Sequence, residues 1–223
     1  MIARLPGLLS PTEVELVLEK LAGAQWADGK SSAKGQARAG KQSLVVPAGD
    51  PASQLAGLAV LDRLSQSEAF RAASFPRTVL PFMFCRYDEG MSYSAHLDLP
   101  LMGSGPAAMR TDLSMTLFLS APKSYDGGDL VIESELGEER IRGELGEAVL
   151  YPSSTLHRVE NVTRGSRLVA VTWIQSLLRA PSQRRILAEL ARVADALGQH
   201  PDQQEHALRI RKTQYELLRM WVD

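Results

Sequence analysis

Only four histidines occur in the 223 residues, and one of them, His96, stands two places before an acid, Asp98, in the stretch YDEGMSYSAHLDLP. In an extended chain, residues i and i+2 share a face, so the pair would send an imidazole and a carboxylate into one space. Alone this means little. Acids are common enough that a histidine meets one two places on roughly one time in eight, and a solvated pair on a strand explains it as well. Three further residues shift the balance. His157, in GEAVLYPSSTLHRVENV, follows a strand-like run and a PSS turn, so only the fold can bring it to the first two. Arg167 lies ten residues later, and a turn at Arg164-Gly165 would fold its strand back beside that of His157. Residues 167, 169, 171 and 173 then share a face, so Arg167 and Trp173 line one wall. Tyr87 precedes His96 by nine residues.

Two histidines and one carboxylate form the ligand set of non-haem Fe(II), bound on one face of an octahedron. Iron that activates oxygen needs three positions free. The keto acid end of 2-oxoglutarate fills two and dioxygen takes the third. The far carboxylate of that cosubstrate then calls for a cation of fixed geometry. Arginine's fork supplies two parallel hydrogen bonds, which lysine cannot, and a tyrosine hydroxyl can add another donor.

The elements that must hold these residues follow from local patterns. SPTE places Ser10 at an N-cap, Pro11 at the first helical position and Glu13 at the third, a capping box opening a helix with Val14, Val17, Leu18 and Leu21 on one stripe. Residues 27 to 41 are small, polar and basic, and read as a mobile loop. QSLVVP reads as a short strand. Leu55, Leu58, Leu61 and Leu64 suggest a second helix from Ala52 to Ala72. From about residue 76 to 177 the texture changes to short apolar or alternating runs (TVLPFMFCRY, DLSMTLFLS, GDLVIES, EAVLYP, RLVAVTWI) separated by turn residues, which predicts an antiparallel sandwich or barrel. YDGGD, ahead of a strand, reads as a hairpin turn. Two helices close the chain. The first carries Ile186, Leu187, Leu190, Val193, Ala194 and Leu197 on one face, and the short link after Gly198 predicts an antiparallel hairpin. The last helix has a wide apolar stripe (Leu208, Tyr215, Leu218, Val222). It is expected to pack on the β core, with a second subunit as the other partner such a stripe could meet.

The pattern H-x-D … H … R-x-x-x-x-x-W, after RYDEGMSYSAHLDLP, resembles the Fe(II)/2-oxoglutarate dioxygenases of the prolyl 4-hydroxylase-like family, and most closely the bacterial PKHD-type hydroxylases, a group associated with iron uptake. The resemblance is strongest from Thr78 to Leu177. It implies a double-stranded β-helix, or jelly roll, over residues 76–178, with an N-terminal helical support region (1–75) and a C-terminal helical hairpin (179–223). It implies Fe(2+) on His96, Asp98 and His157, and the far carboxylate of 2-oxoglutarate on Arg167 with Tyr87 nearby. Phe118 falls where related enzymes have a second carboxylate-binding tyrosine. It cannot donate, which leaves Thr116 or no residue for that role. Hydroxylation of a peptidyl or small-molecule substrate with release of succinate and carbon dioxide follows, as does L-ascorbate dependence.

Net charge of −1 gives no reason to expect nucleic acid or a membrane surface as partner. Cys85 is the sole cysteine, so neither an intramolecular disulfide nor a cysteine zinc site is available, and a buried thiol is expected. The first residues make a poor signal peptide and no run of about 18 apolar residues exists, which points to a cytoplasmic protein. His200 and His206 read as solvated surface residues. The loop 100–112 fits a cover over the substrate or a plain connection equally. Two rival functions remain. A cupin-like, non-catalytic binding module would share the jelly roll but bring an H-x-H pattern, against which Asp98 and Arg167 argue. An interaction protein would use the helical tail as its working surface.

Overall fold

The chain opens with β1 (Ala3–Leu5) and α1 (Pro11–Leu21), and the capping box forms as its sequence requires. The Ser10 hydroxyl accepts from the Glu13 amide at 3.3 Å while the Glu13 carboxylate accepts from the Ser10 amide at 2.7 Å. The structure is a computed structural model describing residues 2–47, 49–105, 108–134 and 137–222.

The next stretch corrects the loop expectation for residues 27 to 41. It folds into β2 (Ala27–Asp28), a 3-10 turn (Gly29–Ser32), α2 (Gly35–Ala39) and β3 (Lys41–Gln42), followed by β4 (Leu44–Val46). Its glycines permit the close packing. A Cβ on Gly29 would lie 2.1 Å from the Ser43 hydroxyl, and one on Gly40 2.6 Å from Cβ of Ser94. The expected helix over 52–72 is two, α3 (Pro51–Gln66) and α4 (Glu68–Ser74), because Ser67 leaves the helical path and caps the second by accepting from the Phe70 amide at 3.2 Å. Leucines three apart drift around a helix by about 60° per step. Leu64 is accordingly buried, Leu55 and Leu58 are exposed, and the inward stripe is Ala56, Val60 and Leu64.

Residues 76 to 176 hold the remaining strands: β5 (Pro76–Val79), β6 (Met83–Asp88), β7 (Ser92–His96), β8 (Leu101–Met102), β9 (Met109–Arg110), β10 (Leu113–Phe118), β11 (Tyr125–Gly127), β12 (Leu130–Ser134), β13 (Gly137–Ile141), β14 (Ala148–Pro152), β15 (His157–Val159) and β16 (Val162–Ser176). The larger sheet runs β1-β14-β10-β16-β6-β4-β2, with β5 and β11 also paired to β16; the smaller runs β13-β12-β15-β7-β3. All pairings within both are antiparallel. The N-terminal region therefore supplies strands to both sheets as well as helices.

The central strands of the larger sheet, β10 and β14 above all, are buried on both faces, and alternation sorts their side chains. Leu113, Met115, Leu117, Leu150, Ala170 and Ile174 join Val14, Val17, Val60 and Leu64 in a core under the helices. Cys85, Tyr87, Phe118, Val149, Tyr151 and Val169 face inward, toward Tyr93, Leu130, Ile132 and Val159 of the smaller sheet. This is the predicted jelly roll with helices packed outside it.

Two turn readings change. Arg164-Gly165 lies within β16, not at a turn, and β15 pairs with β12 and β7 while β16 sits in the other sheet. Arg167 therefore faces His157 across the sandwich. Gly165 is needed for close approach, since a Cβ there would meet the Ser124 carbonyl oxygen at 2.3 Å. YDGGD likewise does not join hairpin partners: β11 pairs with β16 and β12 with β13 and β15, so the chain crosses between sheets there. Within the 100–112 connection, β8 pairs with β9; residues 106 and 107 lie outside the described residues.

The C-terminal hairpin forms from α5 (Pro181–Gly198) and α6 (Gln204–Trp221). The expectation that the last helix packs on the β core fails. Helix α6 packs chiefly against α5, burying Ala207 and Gln214, whose amide donates to the Leu187 carbonyl at 3.1 Å. Leu208 and Met220 stay 70% and 74% exposed.

Candidate metal centre

His96 ends β7 and His157 begins β15, and the antiparallel register makes them direct partners. Their ring centroids lie 4.2 Å apart. Asp98, two residues past His96, turns into the same space, with its Oδ2 3.7 Å from Nε2 of His157. One ligand atom from each of the three lies within 4.8 Å of the others.

The surroundings prepare these groups for a cation. Each histidine Nδ1 lies 2.9 Å from a backbone carbonyl two residues earlier, His96 at Ser94 and His157 at Thr155. A carbonyl only accepts, so the proton sits on Nδ1 and Nε2 keeps its lone pair for a metal. Burial, and then the neighbouring His157, push the His96 imidazole down to about 4, which keeps it neutral, as a ligand must be. The Ser114 hydroxyl donates to Asp98 Oδ2 at 2.5 Å and lies 2.8 Å from the Ser153 hydroxyl. Tyr93 stacks on His96 at 3.6 Å, and Tyr151 meets His157 edge-on at 5.0 Å. Burial raises both tyrosine hydroxyls, so they are neutral donors.

Across the sandwich stands Arg167, 1% exposed and in register with Tyr87. Its guanidinium lies 5.3 Å from the Tyr87 ring and 5.4 Å from the Phe118 ring. Its Nε and Nη2 have no hydrogen-bond partner among the described residues. A buried cation in that state is costly unless an anion arrives to meet it. Gly128 explains the glycines of YDGGD: at φ +66° it passes under the arginine stem, and a Cβ there would lie 3.1 Å from Cδ of Arg167.

A cavity of about 430 Å³ joins the two groups, within the range of small-molecule sites. His96, Asp98, His157, Arg167 and Tyr87, the five expected site residues, all line it, as do Thr116 and Trp173. Phe118 is not on its wall but packs beneath Arg167. Reading the sequence missed Ser114, Tyr151 and Lys41. Ser114 and Tyr151 could have been found by alternation, being inward-facing positions of β10 and β14 paired to each other. Nothing local marked Lys41. His200 and His206 are exposed and Cys85 is a buried free thiol, as expected.

Comparison with known proteins agrees with this geometry. The sequence pattern of the 2OG-Fe(II) oxygenase superfamily matches residues 82–175. A PKHD-type hydroxylase of Xanthomonas campestris pv. campestris is 38% identical and one of Pseudomonas putida 39% identical, each alignment covering all of both chains. Among solved structures, a Pseudomonas putida prolyl-4-hydroxylase is similar at TM-score 0.57 and 20% identity, covering 78% of this chain and 92% of that one. HygX from Streptomyces hygroscopicus, solved with nickel and 2-oxoglutarate bound, is similar at TM-score 0.54 and 14% identity, covering 78% and 82%. At those identities the structural likeness speaks for the fold.

Proposed function

The chain belongs to the PKHD-type hydroxylases, within the 2OG-Fe(II) oxygenase superfamily, and on that premise we propose how its residues divide the work of a 2-oxoglutarate-dependent hydroxylase. The observation that carries the reading is a His-Asp-His cluster facing, across one cavity, a buried arginine whose Nε and Nη2 have no hydrogen-bond partner among the described residues. His96, Asp98 and His157 would hold ferrous iron, and their number leaves the rest of its coordination sphere open. Iron with 2-oxoglutarate supplies the oxidising chemistry, which consumes dioxygen, hydroxylates a C–H bond and releases succinate and carbon dioxide.

The chain's own part is binding, orientation and dryness. Arg167 receives the far carboxylate of the cosubstrate on Nε and Nη2, with the Tyr87 hydroxyl as a further donor. Ser114 fixes the Asp98 carboxylate, and the two backbone carbonyls fix the histidine tautomers. Val169, Val171 and Trp173 give the cavity an apolar wall that limits water.

The finer points rest on likeness and composition. The substrate is a prolyl or lysyl side chain or a small molecule, with a link to iron uptake supported by the family resemblance. Ascorbate dependence has the same support. A cytoplasmic setting is supported by the single cysteine; no helix among the described residues is long and apolar enough to cross a membrane. The exposed Leu208, Tyr215 and Met220 support self-association through the C-terminal helices. Residues 1–75, 76–178 and 179–223 act as support, catalytic core and appended hairpin. Asp98→Ala tests the reading: succinate formation under Fe(II) should disappear, and turnover near the wild-type rate would remove the triad from the account.

A further inference from the structure

The buried lysine that the sequence did not mark out is the feature the reaction leaves unused. Lys41 is 3% exposed, lies on the edge strand β3 and lines the cavity. Its register partner is Tyr93, and its Nζ sits 5.0 Å from that ring while donating to the Ser32 hydroxyl at 2.8 Å. Tyr93 stacks in turn on His96, so the ammonium stands one ring behind a proposed metal ligand. Among the described residues no carboxylate pairs with it. Lysine is a strongly hydrated point charge on a flexible stem, and it normally extends its head to water. Holding it buried and unpaired is costly.

The local field points the same way. From Gly29 to Lys41 the chain carries Lys30, Lys34, Arg38 and Lys41 and no acid, and Lys34 also lines the cavity. Such a wall raises the local concentration of anions. Part of the cavity lining is apolar and exposed: Leu97, Leu99 and Leu101 line it yet remain 52%, 42% and 59% exposed, a grouping of large side chains in water that marks a contact surface. Arg167 already serves the far carboxylate of the cosubstrate, so Lys41 is surplus to it.

We infer that Lys41 anchors the substrate: its ammonium receives the carboxylate of an amphipathic organic acid whose apolar body lies over the leucine rim. This rests on the reading of the site as a 2-oxoglutarate-dependent hydroxylase. A substrate so held keeps its acid group beside Tyr93 and carries its apolar body past Leu97 and Leu99, the two residues that flank Asp98.

The test uses the full chain with Mn(II) at the metal site and N-oxalylglycine in place of 2-oxoglutarate. Hexanoate, octanoate and 4-phenylbutyrate are titrated calorimetrically against their primary amides. The acids should bind at least tenfold more tightly than the amides. In Lys41→Met the preference should fall to within twofold, while the affinity for 2-oxoglutarate, read from the anaerobic Fe(II) charge-transfer band, stays within twofold of wild type. Equal binding of acids and amides by the wild type refutes the inference without any variant. So does a preference that survives in Lys41→Met, or a tenfold loss of 2-oxoglutarate affinity there, which would assign the lysine to the cosubstrate. If the wild type forms no band at all, the reaction class fails and the inference with it; a normal band without an acid preference sinks the inference alone.

Discussion

Replacing Arg167 by methionine separates a binding role from a structural one. Arg167 is 1% exposed, its guanidinium lies between the Tyr87 and Phe118 rings, and its Nε and Nη2 have no hydrogen-bond partner among the described residues. A flexible apolar side chain fits that slot, and removing a buried cation that no carboxylate meets among the described residues relieves a desolvation cost. The ligand-free variant should therefore melt no lower than wild type. With 2-oxoglutarate the outcome reverses. Two charge-assisted hydrogen bonds at about 1.5–3 kcal/mol each are lost, and at about 1.4 kcal/mol per decade that weakens binding by at least about a hundredfold. At a ligand concentration of about 100 Kd the metal-loaded wild type gains about 2.7 kcal/mol. For a chain of this size that is a rise of about 5–11 °C. The same concentration gives the variant only about 0.4 kcal/mol, or about 1 °C. Thermal melts with Mn(II), with and without 2-oxoglutarate, read both quantities. A variant that melts well below wild type yet keeps its ligand-induced shift would show that Arg167 is a structural residue, and the cosubstrate assignment would fall.

Other perturbations report on separate parts of the site. Ser114→Ala removes the 2.5 Å hydrogen bond to Asp98 and should weaken Fe(II) or Mn(II) affinity about 10–100-fold; unchanged affinity in a metal titration would make that contact incidental. Gly128→Ala forces a side chain onto a φ of +66° and to within 3.1 Å of the Arg167 stem. It should cost more than about 1 kcal/mol of stability and weaken 2-oxoglutarate binding in the same melts, and a neutral result would mean that the turn relaxes freely. Glu147 accepts from Arg4 at 2.6 Å and from the Glu144 amide at 2.9 Å, which holds its carboxyl below the ordinary value of 4.5, with the Arg4 hydrogen bond the largest cause. A depressed carboxyl contributes stability present above the ordinary value and lost as pH falls through the lowered one. Urea melts of Glu147→Gln should therefore lose less stability than wild type on going from pH 6 to pH 3; an identical loss would contradict the role of this pair.

The main strand runs, the capped first helix and the His96–Asp98 pair were legible because each depends on local spacing, while the convergence of His157 and Arg167 on the same cavity followed from the family resemblance, since only the fold brings them there. The i+2 rule placed Asp98 beside His96, and alternation placed Trp173 on the wall of Arg167. What escaped depends on distant partners. Gly165 resembles a turn residue, yet it is a glycine because the Ser124 carbonyl passes within 2.3 Å of where its Cβ would be. Residues 27 to 41 lack any apolar period, so nothing local reveals that Gly29 and Gly40 nest against Ser43 and Ser94 and carry Lys41 inside. Ser67 looks like one more polar residue on a helix face until its hydroxyl is seen capping the next helix. The open face of α6 has the same origin: an amphipathic stripe shows that a helix wants cover without showing which surface supplies it.

Anaerobic titration of Fe(II) into the protein with 2-oxoglutarate tests the central claim most directly. A visible charge-transfer band should grow to saturation at one iron per chain and vanish in His96→Ala, Asp98→Ala and His157→Ala alike. No band in the wild type, or an undiminished band in any of the three variants, would contradict it.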